Sequence, residues 1–169
     1  MITTTPRLAL RRFTTEDLDI TAPVLMDPDV TALWPRPYTR DEVAEWIEKQ
    51  LARYDADGFG YWLGLSRRTG EVIGLYGVLS MVLPEDFGRV VGLGWITHRP
   101  HWRMGYATEG AAACRDWAFE HGGMDHLHTI IRPENTSSIG VAHKLGMTFT
   151  GRTSYANIVH DVWELRRGA

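Results

Sequence analysis

The sequence has one cysteine, Cys114, so no disulfide can form within the chain. It has no uninterrupted apolar run near the roughly 18 residues that a membrane helix needs. Its first residues, Met1-Ile-Thr-Thr-Thr-Pro-Arg7, lack the basic segment followed by an apolar one that marks a secretory leader. Those absences favour a cytoplasmic protein with no membrane partner. A strong excess of one charge is missing too. The net charge of −3 leaves no basic stripe for nucleic acid. Neither of the two familiar glycine-rich phosphate signatures occurs. Repeats, low-complexity tracts and long linkers are absent. What remains is a composition ordinary for one globular domain, expected to span residues 1–169.

The hydrophobic pattern gives an α/β (α+β) fold of about seven strands and four helices in a mixed sheet. Arg7–Arg12 alternates as a half-buried strand does. Thr14-Thr-Glu-Asp17 opens a helix, with Thr14 as its cap. Thr39-Arg-Asp-Glu42 is a capping box, and the helix after it places Val43, Trp46, Ile47, Leu51 and Tyr54 on one stripe. Between those helices lies Leu33-Trp-Pro-Arg-Pro-Tyr38, stiffened by two prolines. It is either a plain connector with Trp34 in the core or one wall of a pocket. Strands follow at Tyr61–Ser66, Val72–Leu79 and Val90–Thr97, the first two joined by a hairpin turn at Arg68-Thr-Gly70. A helix at Gly105–His121, a strand at Leu127–Arg132 and a helix at Ser137–Leu145 come next. Met147–Tyr155 and Ile158–Arg166 form a last strand pair.

One segment carries the functional signal. The strand ending at Thr97 passes through a short turn into a helix that begins near Gly105. Amides at a helix start have no partner inside the helix, and they carry the positive end of its dipole, so they attract anions. Gly105 lets a phosphate approach the backbone, Ala107 is small, Thr108 adds a hydroxyl, and Arg103 or Arg99 adds charge. Ala107, Ala111, Cys114 and Ala118 form a small-residue stripe that seats the helix close on the sheet, which makes Cys114 core rather than nucleophile. Glu109, Asp116 and Glu120 are expected to face away. Gly92 and Gly94 sit inside the preceding strand, where glycine marks a bulge or a close approach.

These residues resemble the GCN5-related N-acetyltransferase (GNAT) superfamily, and most closely its RimJ/RimL-like branch of ribosomal-protein N-terminal acetyltransferases. The resemblance runs from Pro6-Arg-Leu8 to Trp163-Glu-Leu165. Its specific parts are Trp102-x-x-Gly105-Tyr-Ala-Thr-Glu109 and Asn135-Thr-Ser-Ser-Ile139 with Lys144-Leu-Gly146. It implies a single-domain fold whose fourth and fifth strands splay apart around acetyl-CoA. Trp95, Ile96 and Thr97 would offer backbone to the pantetheine. Arg103, Met104, Gly105, Tyr106, Ala107 and Thr108 would surround the pyrophosphate. Asn135 would bond the cofactor, and Ser138 would lie near the thioester sulfur; these two are the expected catalytic residues, and both also suit simple helix capping. Trp34, Tyr38, Tyr76 and Trp95 are the expected acceptor-binding residues. No metal is implied, and a monomer or homodimer is expected.

The implied reaction is direct attack of a primary amine, of a peptide N-terminus or a small molecule, on the thioester in a ternary complex. Three positions depart from the family pattern. Gly92 stands where many relatives carry a glutamate base, Ala142 where many carry a tyrosine acid, and Met147 where many carry phenylalanine. The amine's own basicity then matters. An α-amine of pKa about 7.8 is roughly 14% neutral at pH 7, and a lysine of pKa about 10.4 roughly 0.04%. A site without a strong base therefore favours a weakly basic amine. Glu85, Asp86, His98 and His101 are alternative bases near strand ends. The missing acid and base also admit a second reading, an acyl-CoA-binding sensor with weakened catalysis. His126-Leu-His128 places two imidazoles on one strand face, but no third ligand for a metal is evident in the spacing.

Overall fold

The computed structural model describes residues 1–84 and 87–168. Eight strands form one sheet. They are β1 (Thr3–Thr4), β2 (Leu8–Arg11), β3 (Tyr61–Ser66), β4 (Val72–Leu83), β5 (Gly88–Thr97), β6 (His126–Ile131), β7 (Thr148–Tyr155) and β8 (Ile158–Arg166). Four α-helices accompany them: α1 (Leu18–Leu25), α2 (Arg40–Ala56), α3 (Tyr106–Glu120) and α4 (Thr136–Lys144). The eighth strand is the two-residue Thr3–Thr4 pairing, too short to produce an alternation in the sequence. Among the described residues, no helix is long and apolar enough to cross a membrane.

The strands lie in the order β1-β2-β3-β4-β5-β6-β8-β7. Every neighbouring pair is antiparallel except β5 and β6, which run parallel with one registered pair, Gly92 opposite His128. By contrast, β4 and β5 pair without a break from Gly74 opposite Thr97 to Leu83 opposite Gly88. The splay expected between the family's fourth and fifth strands is thus the gap between β5 and β6 here, shifted one number by the extra first strand. Gly92 and Gly94 mark no bulge.

Directly opposed residues of an antiparallel pair share a face, which assigns the two layers. Tyr61 projects toward α2, its ring 5.3 Å from that of Trp46. Its neighbour Trp62 projects the other way, 4.8 Å from Trp117 of α3. The capping box at the start of α2 forms as expected: the Glu42 amide donates to the Thr39 hydroxyl and the Thr39 amide to the Glu42 carboxylate. One α2 residue escaped the stripe. Gln50 is buried, and its side chain accepts a hydrogen bond from the Tyr61 amide at 3.1 Å, which fixes where β3 begins.

Helix α3 lies close on the sheet because its inner face is small. Ala111, Cys114 and Ala118 are fully buried. Gly110 is required as well, since a Cβ there would fall 2.6 Å from Cγ of Tyr76. Burial pushes the Cys114 thiol far up, so it stays protonated and unreactive.

Candidate active site

The segment expected to hold the cofactor is built from backbone. After β5, a short 3-10 turn at Arg99–His101 leads to Gly105, which caps α3 with φ +81 in the left-handed region. Only glycine adopts this conformation without strain. Nothing but the Arg7 guanidinium, at 3.4 Å, would meet a side chain at Gly105. The first-turn amides of this 15-residue helix have no acceptor within the helix. Arg103, Met104 and Gly105 are exposed, and Tyr106, Ala107 and Thr108 are partly so. The Trp102 indole donates to the Thr97 carbonyl at 2.7 Å and ties the turn to the end of β5.

Two charges differ from expectation. Arg99 pairs with Asp27 and Asp29, so it is turned to the α1 side of the molecule. That leaves Arg103, which makes no ion pair among the described residues. Glu109 does not face away. It accepts from the Thr5 hydroxyl and the Arg7 amide and side chain, and Arg7 also donates to the Met104 carbonyl at 2.9 Å. Arg7 lies 4.2 Å over the ring of Tyr106. The N-terminal segment thus buttresses the turn from about a hundred residues away in the chain.

Next to this end, a cleft of about 590 Å³ runs through the gap between β5 and β6. From the α4 side it receives Trp95, Asn135 and Ser138. Asn135 caps α4, accepting from the Ser138 amide at 3.1 Å. The Trp95 indole donates to the Ser138 hydroxyl at 3.2 Å, so the hydroxyl's own proton remains free to donate. Three residues chosen from the sequence thus meet at one point. The Thr129 hydroxyl donates to the Leu93 carbonyl at 3.0 Å, bridging the gap just where the ladder stops. Beyond it, the β5 edge at Gly94–Ile96 has no registered partner on β6.

From the α2 side the cleft receives Trp46, Arg53, Tyr61 and Met81, and from β7–β8 Tyr155 and His160. None of these was a candidate from the sequence. The two strand glycines are the clue to them. A Cβ on Gly94 would lie 2.6 Å from Cζ of Tyr61, and one on Gly92 would strike the methyl of Met81. Both glycines exist so that side chains from β3 and β4 can cross β5. Burial pushes the Tyr61 phenol up to about 12, so it stays a donor at neutral pH. The place of the family's glutamate is filled by the Met81 methyl.

The expected acceptor wall needs correction. Tyr76 is fully buried beneath α3 with its hydroxyl 3.3 Å from that of Thr97, because its register partner Trp95 puts it on the α3 face. Trp34 and Tyr38 pack on each other, with centroids 5.2 Å apart, and neither lines the cleft. Their loop supports it indirectly: Arg132, which does line it, donates to the Leu33 carbonyl at 2.5 Å. Of the alternative bases, His98 and His101 lie together beside Tyr106 at the cofactor turn, outside the cleft lining. Glu85 and Asp86 lie outside the described residues. Ala142 and Met147 are buried core.

Comparison with known proteins agrees with this geometry. The family model described as an acetyltransferase (GNAT) domain matches residues 7–148. The Bacillus subtilis (strain 168) protein YkkB is 31% identical over 124 residues, covering 73% of this chain and 71% of its own. The N-acetyltransferase p20 of Bacillus licheniformis is 29% identical over 149 residues, covering 87% and 82%. Among solved structures, an acetyltransferase from Agrobacterium tumefaciens superposes with a TM-score of 0.82 at 28% identity, covering 98% of this chain and 94% of its own. A glycine-led helix start, a splayed parallel pair and a cleft through the splay suit transfer from a CoA thioester, and the chain belongs to the GNAT family of acetyltransferases, with acetyl-CoA as its cosubstrate.

Proposed function

We propose that this enzyme acetylates a weakly basic primary amine, foremost a peptide N-terminus as in the RimJ/RimL-like branch, inside the cytoplasm. The observation that carries this reading is the cleft lining. Among the described residues it contains Arg53, Arg132 and His160 but no carboxylate. A site of that charge neither strips a proton from a lysine ammonium nor attracts a polycation. An α-amine arrives partly neutral and needs no strong base.

In this reading Trp95, Ile96 and Thr97 hold the pantetheine through backbone, and Arg103 to Thr108 hold the pyrophosphate at the start of α3. Asn135 and Ser138 stand at the thioester. The acceptor enters from the α2 side, past Trp46 and Tyr61. Its nitrogen attacks the acetyl carbonyl carbon; the new N–C bond forms as the C–S bond breaks. The developing oxyanion needs a donor, which a free β5 amide supplies. The sulfur leaves as a thiolate with a pKa near 8.5, and the Ser138 proton steadies it. The nitrogen's proton passes to water, with His160 the only described imidazole on the cleft wall to receive it.

The test is CoA release from acetyl-CoA with matched acceptors. A peptide with a free α-amine should turn over several hundredfold faster than its Nα-blocked counterpart carrying one lysine, following the neutral fractions. Faster lysine acetylation would overturn the proposal. The Met81 methyl in the place of a base favours a second reading, a CoA-binding sensor. Tight acetyl-CoA binding without turnover on any acceptor would support it.

A further inference from the structure

The two imidazoles of β6 acquire a third partner in the fold. Strand β8 runs antiparallel beside β6 with Glu164 opposite His128, so the carboxylate shares the face of His126 and His128. His126 Nε2 lies 3.0 Å and His128 Nε2 3.8 Å from the same carboxylate oxygen of Glu164. The two rings are 4.2 Å apart, and one ligand atom from each of the three residues lies within 4.8 Å of the others. Ligands bonded tetrahedrally at the usual zinc distances sit roughly 3.3 Å from one another. The two separations from the Glu164 oxygen bracket that spacing.

We propose that His126, His128 and Glu164 form a binding site for one zinc-type divalent cation, with water as the fourth ligand, separate from the transfer cleft. The donor set decides the class of metal. Two imidazoles and one carboxylate suit zinc and its transition-metal neighbours, whereas calcium and magnesium require oxygen ligands. Access is one-sided: the His126 and Glu164 side chains are 29% and 26% exposed and His128 is 8% exposed. Water can therefore reach the open position while His128 is held in the sheet.

A plain His126–Glu164 hydrogen bond explains only part of the arrangement. His128 is buried, and its Nε2, 3.8 Å from the Glu164 carboxylate, is too far away to share that hydrogen bond. None of the three residues lines the cleft, and GNAT enzymes need no metal for transfer. The bound cation would clamp β6 to β8 at the closed end of the splay, beside the single pair Gly92–His128 that joins the two halves of the sheet.

The test uses the full chain, stripped with EDTA and titrated with zinc chloride. Calorimetry should give one zinc per chain. The thermal midpoint should rise by roughly 5 to 10 °C with zinc at a hundredfold over its dissociation constant, and magnesium should not raise it. His126→Ala and Glu164→Gln should each remove most of that rise, measured against the same variant in EDTA, so that the lost His126–Glu164 pair is subtracted. Cobalt in place of zinc should give the strong visible absorption of a tetrahedral site. No saturable zinc binding, or an undiminished rise in both variants, would overturn the proposal; the second result would place the metal elsewhere, for example at His98 and His101.

Discussion

The turn proposed to hold the cofactor and the cleft proposed to take the acceptor are built by opposite means. At the start of α3 the ligand site is backbone: a glycine in the left-handed region, unpartnered amides and small residues close together in the chain. At the acceptor end it is side chains: Trp46, Tyr61, Met81 and His160, brought from α2, β3, β4 and β8. An anion is recognised through amides that any fold of this type can supply, so this part is compact and local. Selection among amines needs shape and charge, which distant elements assemble around the gap in the sheet. The first end should tolerate changes in its side chains and fail when its backbone is altered. The second should behave in the reverse way.

The largest expected effect breaks the acceptor end at the place where both ends meet. Gly94→Ala drives a methyl into the Tyr61 ring, which Trp46 holds from behind. Overpacking of this kind costs about 1–3 kcal/mol, and here it also narrows the cleft. Turnover per acceptor concentration should fall about a hundredfold, while the acetyl-CoA dissociation constant by calorimetry stays within about twofold. The double variant Gly94→Ala/Tyr61→Ala should regain much of the loss. If it does not, the methyl acts on the cofactor rather than through Tyr61.

Gly105→Ala should give the reverse signature. Alanine in the left-handed region is strained by about 1–2 kcal/mol, and the turn relieves this by rotating the first amides of α3 away from their direction. The KM for acetyl-CoA should rise about tenfold with the acceptor KM unmoved. Equal rises in both constants would show that the two ends are not separable.

The same contrast explains what could be read from the sequence. The turn at Gly105, the cap at Asn135 and the strand alternations are short-range patterns, and the fold class and the four helices followed from them; Trp95, Asn135 and Ser138 were singled out through the family resemblance, and only the fold shows that they meet. Tyr76 was misplaced because an aromatic residue in a strand looks the same whichever face it takes; only its register with Trp95 puts it under α3. Trp34 and Tyr38 were misplaced for a related reason, since a stiff aromatic loop can serve as a wall or as support for one. Glu164 was invisible as a partner for His128 because the pairing of β6 with β8 spans more than thirty residues. Gly92 and Gly94 held the missing information, as gaps waiting for Met81 and Tyr61, but a gap does not name what fills it.

A third prediction tests how local the cofactor end is. Burial raises the Glu109 carboxyl, but the hydrogen bonds from Thr5 and Arg7 outweigh this and hold it below the usual carboxylate range. A depressed folded value means the stabilisation is complete above the unfolded value, near 4.5, and is lost as pH falls through the folded one. With Arg7 about half exposed, the pair contributes only about 1 kcal/mol. Glu109→Gln should lower the thermal midpoint by roughly 2–4 °C at pH 7. The gap from the parent protein should close on acidification below pH 4.5. A gap that persisted in acid would mean that Glu109 acts by packing, and the N-terminal segment would not be an electrostatic support for the turn.

The smallest effect is expected at the residue that looks most catalytic. Ser138 sits at the junction of the two ends and keeps a proton free to donate. Yet the leaving thiolate is a weak base with a pKa near 8.5, so at neutral pH it departs with little help. Ser138→Ala should therefore lower kcat only about threefold, within the range of one neutral hydrogen bond. The loss should grow with acyl donors whose leaving thiol is more basic, because these rely more on a donated proton. A loss near a hundredfold with acetyl-CoA itself would mean that Ser138 positions Trp95 and the β5 edge. Ser138→Cys, which keeps a weak donor and a similar shape, would then recover activity only if the contact with the Trp95 indole survives.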